Sequence, residues 1–156
     1  MIDNDRQRSK NKDTPIRFFI SVESGEAIRI TDKESSYPRV SPDGKFVACG
    51  YDDNGKMRLA IIPVEGGEPV KLFDVPKTYN FSGTIHWTQD GKFITYRDWA
   101  NGIWRQAVED GEPQRLEGLP EEKIYTFSWS RDGKQLAFTR GKETLDAVLI
   151  SDFRKN

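Results

Sequence analysis

The sequence is short of the residues that autonomous catalysis and metal binding rely on, with one cysteine, one histidine and two methionines in 156 residues. Cys49 by itself cannot form an internal disulfide, so cysteine usage does not identify a redox compartment. His86 has no companion His or Cys for a zinc site, and a Ser-His-Asp site would need its serine and acid brought to it. No Gly-x-Ser-x-Gly elbow occurs. Charge of one sign is missing too: 24 Lys and Arg stand against 25 Asp and Glu, a net charge of −1, so no overall field draws the chain to nucleic acid or to an anionic membrane. Neither is expected as a partner, and no cofactor is expected. There is no apolar run of the roughly 20 residues that a membrane-spanning helix needs. Residues 1–14 are polar and lack the apolar stretch of a signal peptide, and they read as a flexible leader. As written the chain is expected in the cytoplasm; a piece cut from a longer exported protein would be periplasmic, and the sequence leaves both open.

What the chain does have is a repeat. Asp-Gly-Lys recurs as Ser41-Pro42-Asp43-Gly44-Lys45, Thr88-Gln89-Asp90-Gly91-Lys92 and Ser130-Arg131-Asp132-Gly133-Lys134, at intervals of 47 and 42 residues between the glycines. A second tag, Gly-Glu, alternates with it at Gly25-Glu26, Gly67-Glu68 and Gly111-Glu112. A period of about 40–45 residues with four strand-like segments per copy is that of a propeller blade. Helical repeats of similar length would show a 3.6-residue apolar period, whereas the segments here are short, β-branched or aromatic, and bounded by Gly and Pro. Each Asp-Gly is expected to close a tight hairpin, the Asp bonding local backbone and the Gly supplying a left-handed residue. Asp43, Gly44, Asp90, Gly91, Asp132 and Gly133 are therefore structural turn residues.

The fold expected is all-β, a partial β-propeller of a little over three four-stranded antiparallel blades over residues 15–156. Strands C and D of a first blade fall at 16–31, full blades at 37–73 and 83–117, and strands A to C of a last copy at 124–153. Asp52-Asp53-Asn54-Gly55 resembles a calcium loop, but Gly50 and Ile61 stand where an EF-hand needs Asp and Glu, so it reads as an Asn-Gly hairpin turn. Trp87 and Trp129 share one repeat position, matched by Val40, and are expected between blades. His86 is expected to pack or hydrogen-bond rather than catalyse.

Through Tyr-Pro-Arg-Val-Ser-Pro-Asp-Gly-Lys at 37–45 and Phe-Ser-Trp-Ser-Arg-Asp-Gly-Lys at 127–134, the chain resembles TolB-like, WD-repeat-like propellers. The ending Asp-Ala-Val-Leu-Ile-Ser-Asp-Phe at 146–153 resembles propellers fused behind bacterial serine/threonine kinases or winged-helix regulators. The resemblance implies a non-catalytic module for protein or peptide interaction, a sensor or scaffold in bacterial signalling. The rival reading is a substrate-gating or carbohydrate-active propeller serving a hydrolase or lyase domain.

Just over three blades do not close a ring. An open blade face of about 400 Å² would be worth on the order of 10 kcal/mol if covered. Two readings stay open: two chains associating into a ring of about six blades, or a piece of a longer propeller. Strand direction puts the tagged turns on one rim and the variable loops 33–36, 74–82 and 118–123 on the other, with Trp99 and Trp104. Trp99, Trp104, Arg97 and Tyr79 are the residues expected to contribute to a partner site there.

Overall fold

The fold follows from three copies of one turn. In the computed structural model, which describes residues 17–20, 25–76, 85–98 and 102–142, the Ser41 hydroxyl donates to Asp43 Oδ1 at 2.5 Å and accepts from Phe46 N at 2.9 Å. Asp43 Oδ1 also accepts from Lys45 N, and Gly44 lies at φ 73°. The same bonds recur at Thr88-Asp90-Lys92-Phe93 and at Ser130-Asp132-Lys134-Gln135, with Gly91 and Gly133 at φ 69° and 70°. A left-handed residue is required here, and glycine adopts that conformation without a Cβ penalty. Replacing Pro42 with Gln89 or Arg131 leaves the turn intact because its bonds come from the hydroxyl and the carboxylate.

Twelve strands are described, with no helix among them. β1 (Arg17–Ile20) and β2 (Ala27–Thr31) form an N-terminal pair. β3 (Ser35–Val40), β4 (Phe46–Asp53), β5 (Lys56–Pro63) and β6 (Lys71–Asp74) form a first full blade in sequential order. β7 (Ile85–Trp87), β8 (Phe93–Asp98), β9 (Gly102–Ala107) and β10 (Gln114–Arg115) form a second. β11 (Lys123–Trp129) and β12 (Leu136–Gly141) form a C-terminal pair. All the pairings are antiparallel. The chain is thus an all-β partial propeller. The strand expected at 146–151 lies outside the described residues. β3 starts at Ser35, two residues before the expected 37, because pairing resumes beyond a bulge between Ser36 and Arg39. The Asn54-Gly55 turn is a two-residue hairpin with both residues at positive φ, 55° and 87°, and Asp52 accepts from Gly55 N.

The core lies between blades, since a blade buries both faces and its strands carry apolar residues on each. Ile30, Val47, Cys49, Tyr51, Ala60 and Ile62 pack between the N-terminal pair and the first full blade. Ala48, Leu59 and Ile61 meet Ile85, Ile94 and Tyr96 of the second full blade. Ile103 meets Ile124 and Phe127 of the C-terminal pair. Cys49 is buried among these apolar residues, 2% exposed.

Candidate functional site

Strands β7 and β11 carry the side chains that join the second full blade to its neighbours. Trp87 donates its indole N–H back to the Arg39 carbonyl at 2.8 Å, and Trp129, at the same repeat position, donates to Thr95 Oγ1 at 3.0 Å. Both tryptophans therefore bridge blades. Val40, at that position in the first full blade, is 47% exposed. His86 points the other way, its Nε2 donating to the Phe127 carbonyl at 3.2 Å and its ring edge-on to Phe127 at 5.0 Å. Burial lowers its pKa, so the imidazole is held neutral as a joint between blades.

Of the four residues expected at the variable-loop rim, Arg97 and Trp104 fall among the described residues, and both lie in interfaces between blades. Arg97 is 3% exposed and donates from Nη1 to the Ile124 carbonyl at 2.9 Å, which ties β8 to β11 from inside the interface. Trp104 is half-buried opposite Tyr96 and packs on the core between the two full blades. Trp99 and Tyr79 lie outside the described residues. On the same rim, Arg58 pairs with Asp53 and Asp74, and Lys56 with Asp74 at 2.8 Å, so these charges neutralise one another. Those bonds hold the Asp74 carboxyl below its ordinary range.

Two concave surfaces open at the rim of the tagged turns. One groove of about 770 Å³ lies between the two full blades, walled by Phe46, Ile61, Val70 and Trp87 with Asp43 and Asp90 at its mouth. A second, about 760 Å³, lies between the second full blade and the C-terminal pair, walled by Phe93, Arg105, Leu116 and Trp129 with Asp90 and Asp132 at its mouth. Hydrogen bonds from Ser41, Thr88 and Ser130 and from the backbone lower the pKa of Asp43, Asp90 and Asp132, so the turn carboxylates stay ionised. The grooves are built by repetition, because the turn sets an acid at each mouth and the following strand A sets an aromatic wall.

Arg105 was not singled out in the sequence, where it is one basic residue in one strand. The signal that finds it is the repeat register. Ile61 pairs with Ala48 and Lys71 in the first full blade, and Arg105 pairs with Thr95 and Gln114 at the same places in the second.

No family model matches the chain, and no curated protein matches it. Among solved structures it is similar to a protein of Agrobacterium tumefaciens assigned as TolB, with 25% sequence identity and a TM-score of 0.63, over 81% of this chain and 47% of that one. The chain spans about half the length of that structure, and its fold is that of a TolB-like propeller.

Proposed function

We propose that this chain is a non-catalytic propeller module that binds protein or peptide segments, a sensor or scaffold part of a bacterial signalling protein. The observation that carries the reading is the pair of grooves on one rim, each of about 760 to 770 Å³, combining an aromatic wall with ionised carboxylates at the mouth. An apolar concavity with a few placed polar groups on a rigid scaffold is what a short peptide needs. His86, whose imidazole is committed to the Phe127 carbonyl, serves the scaffold rather than chemistry. The test is to probe a random heptapeptide array with the intact protein. Reproducible capture supports the reading, and uniform background overturns it.

The exposed apolar residues support self-association as a second kind of protein contact. Tyr37 and Val40 are 41% and 47% exposed on β3, and Phe138 is 37% exposed on β12. Four successive residues of β12 are exposed, whereas the strands at the same repeat position, β4 and β8, are buried over five. Two chains meeting at these surfaces would cover them in a shared ring. Light scattering across a concentration series should give a mass of two chains, and a constant mass of one chain would overturn it.

A further inference from the structure

Among the differences between the two grooves, one sets a charge where the other has hydrocarbon, while Lys71 of the first groove stands where the second full blade has Gln114. Ile61 is 2% exposed and fills its place in the groove between the full blades with hydrocarbon. Arg105 takes that place in the groove beside the C-terminal pair. Blade packing does not demand a cation there, since the sibling groove closes with an isoleucine.

The guanidinium is held in place. It stacks on the Phe93 ring at 4.6 Å from the centroid, and Nη2 donates to Gln114 Oε1 at 3.2 Å. Of its five donors, that is the one with an acceptor among the described residues; Nε is buried without one. Arg29, Lys56, Arg58 and Arg140, by contrast, each have a carboxylate within 4 Å. The Arg105 guanidinium is part-exposed and open to a ligand, and its planar fork matches a carboxylate.

The mouth narrows the choice of ligand. Asp90 and Asp132 are ionised there, and their turns engage Oδ1 of each. A polyanion such as nucleic acid or polyphosphate would meet two carboxylates, against the single cation Arg131 beside them, before reaching Arg105. A peptide differs in carrying backbone N–H groups that suit the aspartates, together with a single side-chain carboxylate that can pass them. Trp129 and Leu116 give an apolar side chain a surface to cover.

We propose that the groove between the second full blade and the C-terminal pair recognises an acidic peptide segment, with a Glu or Asp side chain on Arg105 and an apolar neighbour against Trp129 and Leu116. The proposal rests on the peptide-binding reading above and adds the chemistry of the ligand.

The experiment uses acetylated, amidated heptapeptide libraries with Glu, Gln or Lys fixed at the centre and random apolar or neutral flanks. They are assayed against wild type, Arg105→Ile and Arg105→Lys. Arg105→Ile copies the residue of the sibling groove, so it should keep the wild-type unfolding temperature within a few degrees, and thermal unfolding checks this. The expected result is about tenfold tighter binding of the Glu library than of the Gln library by wild type, the scale of one charge-assisted hydrogen-bonded pair. That preference should vanish in Arg105→Ile and be partly kept in Arg105→Lys. Equal binding of Glu and Gln libraries by wild type, or an undiminished Glu preference in Arg105→Ile, overturns the proposal while leaving peptide binding intact. No binding of any library by wild type overturns peptide binding itself, and this proposal with it.

Discussion

Trp129 donates its indole N–H to the Oγ1 of Thr95 at 3.0 Å, across the boundary between the C-terminal pair and the second full blade. Thr95 is 1% exposed and Trp129 half-buried, so the bond is largely shielded from water. Thr95→Val keeps the shape and removes the oxygen. It should destabilise the fold by about 1–2 kcal/mol, the cost of a buried donor left without a partner. Urea unfolding of Thr95→Val, Trp129→Phe and the double variant checks this. The double variant should cost less than the sum of the singles, because both remove the same bond.

Trp104 gives the contrasting case. Its Nε1 is buried without a hydrogen-bond partner among the described residues, while its ring packs on the core between the full blades. Trp104→Phe therefore removes an unsatisfied donor along with some apolar area, and the two effects oppose each other. The same urea titration should show a loss of about 1 kcal/mol or less, clearly below that of Trp129→Phe. An equal loss would mean that indole area, and not the hydrogen bond, dominates at both positions.

These two tryptophans also mark how far the sequence can be read. The place of Trp129 was legible because an Asp-Gly-Lys tag follows it and Trp87 at the same distance, so repetition fixed its environment. The bonds inside the tag were only partly legible: Asp and Gly were recognised as turn residues, but the hydroxyl of Ser41, Thr88 and Ser130, which completes each turn, passed as background. Arg97 was misleading for a physical reason. A charged residue near a strand end suggests a surface, yet strand B of a blade is covered on both faces, and the side chain reaches a carbonyl of the next blade. Arg105 was hidden because a groove assembled from strands of two blades has no contiguous sequence signature.

Gly66 and Gly67 should respond very differently to a methyl group. Gly66, at φ 85°, donates to Pro63 O, and a Cβ there would drive into the Arg29 carbonyl of the N-terminal pair. Gly67, at φ 111°, donates to Ile30 O, and a Cβ on it meets nothing within 4 Å. Gly67→Ala should cost about 1–2 kcal/mol, from the positive φ alone. Gly66→Ala adds a clash with backbone that cannot rotate away, so it should cost clearly more and loosen β2 from the first full blade. Chemical denaturation ranks the two variants, and amide exchange at Gly67 N reports the detachment. Equal costs would show that β2 yields freely.

His86 makes stability depend on pH in a window above that of the turn carboxylates Asp43, Asp90 and Asp132. It is the sole histidine, and burial lowers its folded pKa below the ordinary 6.5, with Arg39 adding to the effect and the Phe127 carbonyl opposing it. The unfolded chain therefore binds the proton more readily than the folded one, and stability rises with pH wherever their occupancies differ. The contribution is complete above about 6.5, declines as pH falls through that value, and levels off below the lowered folded pKa. Asp43, Asp90 and Asp132, whose folded pKa values lie below the ordinary 3.8, give up their contribution only in a separate and more acidic window. Unfolding temperatures measured from about pH 5 to 8 should slope downward toward acid in wild type and run flat in His86→Gln. Parallel curves would assign the slope to other groups and would mean that protonation of His86 leaves its contact with Phe127 intact, which the imidazolium could still make by donating from Nε2. The slope therefore measures how far the cost of burying a charge between two blades exceeds the gain from a stronger bond to the carbonyl.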